Sequence, residues 1–539
     1  MKQEKTSPKV PRADLDSLFR VFTVPENENT TLGKIDQQIS QNLMGFLKSH
    51  IVAEDRAASD LEKDFLDTTI PDDPIFVTEQ AEFLIKKVVA QSVHTSSPNF
   101  VGHMTSSLPY FMLPLAKIMI ALNQNLVKIE TSKAFTPLER QVLGMLHRLL
   151  FNRDEAFYMT KTQSPNCALG AFCSDGTIAN LTAMWVAINR TLAPTETFDG
   201  VNQEGLYAGL KDYRFEGIAI LVSERGHYSL NKAAKILGIG ERNLISIETD
   251  YNNRINLKAL KAKVVELQKR NIAIASIVGI AGTTETGHID PLEELGNFCK
   301  QNNIHYHVDA AWGGPTLLSS KYRYLMKGIE LADSVTIDAH KQLYVPIGAG
   351  MVIFRDETHL NLIEHSAEYV IRSGSRDLGR RTLEGSRPGM AMLVHSGLRI
   401  IGRKGYELLI DMGIEKAKEF ASIVQNDPDF ELITEPELNL FTYRYVPEKL
   451  RQAISKATGT DEIEWINHKI NKITIGIQKT QRESGKSFAS RTALLRPDHP
   501  RQKINVFRVV LANPLTTIEI LQEMLEEQRS IGSKIVVTD

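Results

Sequence analysis

A chain of 539 residues, 42% hydrophobic and 24% charged, is long enough to bury a large core and to divide into two or three domains. Its 63 basic and 65 acidic residues leave a formal net charge of −2, so no global field recruits nucleic acid or an anionic membrane, and a small molecule is the expected partner. The three cysteines, Cys167, Cys173 and Cys299, lack CxxC spacing, which argues against a disulfide framework and a thiolate metal site and suits a reducing cytosol.

The chain opens on MKQEKTSPKVPR, a polar, charged stretch without the apolar core of a secretory signal, and it is expected to be loose. Ile35, Ile39, Leu43 and Leu47 then recur every four residues, which puts an apolar stripe on one helix face. Helical texture continues to about Leu150. Within it, Leu108–Leu122 is too short to span a bilayer and is interrupted by Pro109, Pro114 and Lys117, so it predicts a buried or interface helix.

Beyond Leu150, short apolar runs alternate with helical segments, as a parallel sheet with crossover helices requires. The predicted strands are Ala168–Cys173, Gly217–Val222, Ala273–Ile280, Ile304–Val308, Ser334–Ile337 and Gly350–Phe354. After Gly397 a helix near Lys404–Val424 precedes strand-like runs at Leu438–Tyr445, Ile470–Ile477 and Asn505–Ala512. The expected organisation is a helical segment over 1–120, a large α/β domain over 121–397 and a small α+β domain over 398–539.

Three segments carry chemistry. In AFCSDGTIANLTAM a strand runs into a helix, so Ser174, Asp175, Gly176 and Thr177 sit at a helix N-terminus, where unpaired N–H groups and the dipole attract an anion. An ordinary N-cap explains Ser174 or Asp175 equally well. In HVDAAWGG, Asp309 closes a strand at the edge where open α/β sheets bind ligands; its carboxylate either pairs with a protonated ring nitrogen or caps the next turn. In DAHKQL, Lys341 follows a strand beside His340, and in an apolar setting such a lysine forms an imine with an aldehyde. Taken singly it is one basic residue among 63. Together the three match the phosphate, ring nitrogen and aldehyde of pyridoxal phosphate.

With these segments the chain, from about Ser96 to Gly405, resembles the group II pyridoxal phosphate-dependent decarboxylases, which act on glutamate, aromatic amino acids and diaminobutyrate. The resemblance implies an α/β fold of fold type I with a mostly parallel central sheet, an N-terminal helical segment and a small C-terminal domain. It implies that Lys341 bears the cofactor as an imine, with His340 near the phosphate. Asp309 would pair with the ring nitrogen, Ala311 would pack on the ring, and Gly176 and Thr177 would hold the phosphate. His227, in GHYSLNKAA, matches the histidine stacked over the ring and facing the substrate carboxylate, and Thr284, in AGTTETG, matches a threonine beside the ring oxygen. One departure is plain: the loop Arg372–Gly385 contains no tyrosine where relatives carry a proton donor, and Tyr369 lies too early. His227 or a water is the expected substitute.

For the substrate, SSPNFVGHM resembles the family segment that lines the side-chain pocket, putting His103 near where a distal carboxylate is held; a solvated loop histidine is the alternative. Arg372, Arg376, Arg380 and Arg381 offer either a carboxylate clamp or a solvated basic loop. Arg387 falls where the family has an arginine for the α-carboxylate. The overall similarity is greatest to the bacterial members that convert aspartate to β-alanine; glutamate and 2,4-diaminobutyrate are the alternatives. An aminotransferase would share the cofactor residues and differ in product. The family further implies a homodimer, and the cysteine pattern leads to the expectation of a cytoplasmic location and no metal.

Overall fold

The computed structural model describes residues 29–50, 56, 58–366, 374–495 and 502–538. The chain divides into two compact units, Met1–Thr95 with Gly476–Phe488, and Ser96–Ile475 with Ala489–Asp539. The first unit holds the helix Thr31–His50, in which Ile35, Ile39, Leu43 and Leu47 are half-buried as their spacing requires. The opening dozen residues lie outside the described residues.

The second unit is built on a seven-stranded sheet: β1 (Gly170–Cys173), β2 (Gly217–Ser223), β3 (Leu244–Ile247), β4 (Ile272–Ile280), β5 (His305–Asp309), β6 (Ser334–Asp338) and β7 (Gly350–Phe354). Their order is β1-β7-β6-β5-β4-β2-β3, and β7 alone runs against its neighbours. All six predicted strands form, within two residues of their expected bounds. The short edge strand β3 was not predicted, because four residues with only Ile247 fully buried leave no apolar run to detect.

Both sheet faces are covered. Along β2, Ile218, Ile220 and Val222 enter one apolar cluster, while Ala219 and Leu221 enter the other. A strand buried on both sides reads as a continuous apolar run, which is why these strands were legible. Consecutive parallel strands need crossovers, so every strand except β7 ends on the same edge of the sheet, and the loops gather there.

The smaller sheet contains β8 (Phe430–Thr434), β9 (Leu440–Tyr445), β10 (Ser490–Leu495) and β11 (Lys503–Val510), all antiparallel in the order β10-β11-β9-β8. Ile470–Ile477 is not a strand but part of the helix Thr460–Ser484. Its isoleucines suggested a strand, yet Ile463, Ile466, Ile470, Ile473 and Ile477 recur at spacings of three and four, and period outweighs β-branching. The helix near Lys404–Val424 forms over Gly402–Asn426.

The apolar segment at Leu108–Leu122 forms the helix Met112–Leu122. Met112 is buried, and Leu115, Ala116 and Met119 pack on the core, but Ile118, Ile120 and Leu122 are 50%, 70% and 52% exposed. Burial therefore covers one face only. No helix among the described residues is long and apolar enough to cross a membrane.

Candidate active site

A cavity of about 390 Å³ opens where the parallel strands end. Gly176 and Thr177 reach it from the turn after β1, His227 from the turn after β2, and Thr284 from the loop after β4. Asp309, the last residue of β5, lines it with Ala311, and His340 with Lys341 follow β6. His103 completes the rim from the segment ahead of the sheet. The sheet-borne residues, from Gly176 to Lys341, meet because each stands at or just past a strand end.

Asp309 is 6% exposed and is held by two donors: Asn180 Nδ2 reaches its Oδ2 at 2.9 Å, and the Ala311 N–H reaches its Oδ1 at 3.2 Å. Asn180 is itself fully committed. It donates also to Ser229 Oγ at 3.0 Å, and its Oδ1 accepts from Thr336 Oγ1 at 2.7 Å and pairs with His307 Nε2 at 3.0 Å. Burial lowers the His307 pKa to about 4, so this ring is neutral and its Nε2–H donates.

The same network sets His227. Ser229 Oγ accepts from Asn180 and stands 2.9 Å from His227 Nδ1, which also accepts the Ser229 N–H at 3.3 Å. With Nδ1 an acceptor, the neutral ring carries its proton on Nε2. Desolvation lowers the His227 pKa, with Asp309 opposing, which favours that neutral form. The Tyr228 ring lies tilted against it, centroids 4.2 Å apart.

Lys341 Nζ stands 3.1 Å from Asp338 Oδ2, so its setting is ionic and not the apolar one expected. Asp338 is 3% exposed; burial raises its pKa, with Lys341 and His340 opposing. His340 Nδ1 lies 3.3 Å from the Ala349 carbonyl. Gly176 is required opposite this carboxylate, because a Cβ there would stand 2.7 Å from Asp338 Oδ2. Asp175 takes the capping role, accepting the Ile178 N–H at 3.0 Å, while the Ser174 N–H donates to Glu384 at 2.9 Å. The cap leaves Gly176 and Thr177 on the cavity wall.

Two arginines on the wall were not anticipated. Arg508, on β11, donates to the Thr284 and Gly102 carbonyls at 2.8 and 2.9 Å and through Nε to Ser490 Oγ at 2.9 Å. Arg225 lines the wall two residues before His227. A single arginine in a late strand or a tight turn carries no sequence signal, and only strand register delivers Arg508 here. His103 is exposed at the rim; desolvation lowers its pKa, and the positive charges of Arg508 and Lys341 add to the effect.

The expected position of Arg387 is corrected. Its guanidinium is not free for a substrate, because it is bound bidentately to Glu139 at 2.8 and 3.0 Å, with both side chains buried and neither on the cavity wall. Arg380 and Arg381 are neither solvated nor a clamp: both are buried against Glu364 and the Pro165 carbonyl. Arg376 is exposed, and Tyr369 and Arg372 lie outside the described residues.

These residues fit pyridoxal phosphate. A helix start with a glycine, a buried carboxylate with lone pairs to spare and a lysine beside them supply one partner for each polar end of the cofactor. Asp338 Oδ1 is buried without a partner, as a site awaiting a polar ligand allows. Gly282, at φ +100°, lets the backbone pass close to Trp312, where a side chain would collide.

Comparison with known proteins agrees with this geometry. Residues 62–446 match the family model described as the pyridoxal-dependent decarboxylase conserved domain. The aspartate 1-decarboxylase of Aliivibrio fischeri is 59% identical over 528 residues, covering 98% of this chain and 96% of that protein. An acidic amino acid decarboxylase of Xenopus tropicalis is 27% identical, covering 83% of this chain and 82% of its own. The crystal structure of mouse CSAD superposes with a TM-score of 0.80 at 24% identity, covering 93% of this chain and 98% of the other, which supports the fold. Sequence motif, fold and cavity thus converge: the chain belongs to the pyridoxal-dependent decarboxylase family.

Proposed function

We propose that this enzyme decarboxylates an acidic amino acid, converting L-aspartate to β-alanine and CO₂. The observation that carries this is the pair Arg225 and Arg508, which line one cavity with Lys341 and have no carboxylate partner among the described residues. Uncompensated guanidinium groups favour a ligand with more than one carboxylate. They disfavour 2,4-diaminobutyrate, whose side chain adds an ammonium group. The 59% identity to an aspartate 1-decarboxylase supports aspartate over glutamate.

When bound, pyridoxal phosphate supplies an electron sink for the bond to the departing carboxylate. Lys341 would carry the cofactor, Gly176 and Thr177 would hold its phosphate with His340 nearby, and Ala311 and Thr284 would border the ring. Asp309, oriented by Asn180, would keep a proton on the ring nitrogen. His227 would face the substrate and, with its proton on Nε2, return a proton to Cα in place of a loop tyrosine. Arg508, with all three nitrogens anchored to neutral acceptors, would take the α-carboxylate, and His103 would border the side chain.

The exposed side chains of Ile118, Ile120 and Leu122 support a homodimer, to be checked by gel filtration. The buried thiols of Cys167, Cys173 and Cys299 support a reducing, cytoplasmic setting. Purified protein loaded with cofactor should release CO₂ from aspartate faster than from glutamate or diaminobutyrate. Faster turnover of either competitor overturns the aspartate assignment, and formation of an α-keto acid without CO₂ overturns decarboxylation.

A further inference from the structure

We propose that Arg225 binds the side-chain carboxylate of the substrate and so determines specificity for acidic amino acids; the proposal rests on the reading above and names the residue that reads the acid. Arg225 leaves β2 through a tight turn. Its own N–H donates to Ser223 Oγ at 3.1 Å, the Glu224 N–H donates to the Ile247 carbonyl at 2.8 Å, and the Gly226 N–H donates to the Ser223 carbonyl at 2.7 Å. The side chain therefore starts from a fixed backbone, two residues from His227.

Its guanidinium has capacity to spare. Nη2 reaches Asn253 Oδ1, a neutral acceptor, at a long 3.3 Å, and Nε is buried without a partner. Among the other covered arginines, Arg254 is paired with Glu437 at 2.6 Å, Arg387 with Glu139 and Arg444 with Glu431 at 2.5 Å, whereas Arg140, which is not on this cavity's wall, donates to the Ser164 carbonyl. Glu285 interacts electrostatically with both Arg225 and Arg508, but it forms an ion pair with neither, and its Oε2 is buried and unbonded. An unneutralised guanidinium with a partnerless buried N–H on a cavity wall is matched by a carboxylate, which accepts two parallel N–H bonds.

The competing reader is His103. Desolvation and the charges of Arg508 and Lys341 hold its ring toward the neutral form, so it offers a hydrogen bond without a charge. Arg508 is already anchored by three neutral acceptors, which suits the carboxylate common to all amino acids. Arg225 is left for the group that distinguishes an acidic one.

The test uses the cofactor-loaded protein with Arg225→Gln and Arg225→Lys. Loss of one charge-assisted pair raises KM for aspartate about 100-fold in Arg225→Gln with kcat little changed, and Arg225→Lys recovers part of that loss. Succinate and propionate serve as binding probes, read by the absorbance of the bound cofactor. Wild-type protein should prefer succinate, and Arg225→Gln should lose that preference while keeping its affinity for propionate and its cofactor. A general structural defect would weaken both probes and release cofactor, which counts against the proposal. A KM for aspartate within about twofold of wild type, with succinate still preferred, overturns it outright. If wild-type protein releases no CO₂ from any acidic amino acid, the functional reading fails on its own, and the two probes still decide whether Arg225 holds a second carboxylate.

Discussion

Replacing Asn180 with aspartate changes one NH₂ to an oxygen and tests whether the Asn180–Asp309 contact governs the ring-nitrogen partner. Asn180 Nδ2 stands 2.9 Å from Asp309 Oδ2, so Asn180→Asp sets two carboxylates side by side in a buried site. Thr336 Oγ1 and His307 Nε2 already donate to the retained oxygen, and the Ser229 hydroxyl can turn to donate to the new one, leaving His227 Nδ1 to the Ser229 N–H. With charge centres about 4 Å apart and an effective dielectric near 20, the repulsion is about 4 kcal/mol. That corresponds to about three pH units, so the pair keeps one shared proton to roughly neutral pH. While it does, Asp309 is protonated part of the time and cannot pair with a cationic ring nitrogen. Cofactor affinity of Asn180→Asp should therefore weaken as pH falls from about 9 to about 6, whereas wild type stays flat. Titration of the bound cofactor's absorbance, paired with CO₂ release, measures this directly. Equal cofactor affinity of variant and wild type at the acid end would refute the assignment of Asp309.

Lys341→Ala should remove the imine absorbance and slow CO₂ release at least about 1000-fold, with folding retained by circular dichroism. Arg387→Met leaves Glu139 buried and alone, so it should cost about 3–5 kcal/mol in urea unfolding while KM for aspartate holds, because neither residue lines the cavity. Stability should fall as pH drops from 6.5 toward 4. His147, His288 and His307 each have a folded pKa of about 4, so the unfolded chain binds more protons in this window, at about 3 kcal/mol per histidine. Asp290, pushed up to about 7 by burial, has the opposite sign: its contribution is present below the unfolded value and is lost as pH rises through 7. One group against three leaves a net acid loss, and a melting temperature constant between these limits would contradict the burial of the three rings.

Much of the site was legible because backbone geometry demands it locally. A strand running into Asp175-Gly176-Thr177 places a helix start at a sheet edge, and Asp309 and Lys341 each follow an apolar run, so their positions at strand ends are written in neighbouring residues. Six of the seven strands of the central sheet stand out for the same reason, being apolar on both faces. The failures share a cause as well. Ile470–Ile477 was misread because its β-branched composition was weighed above its helical period. Arg387 was misassigned because a motif fixes a residue's place along the chain and not its partner: Glu139, 248 positions away, claims the guanidinium.

The chain's own pattern determined the class of sheet, the edge where ligands gather and the residues that meet the cofactor, since each follows from a few adjacent side chains. Only tertiary structure decided which arginines are spent on buried carboxylates and which remain for substrate, and it alone brought Arg508 from β11 to the cavity of Lys341. An ion pair is settled by through-space proximity, and no local spacing encodes that.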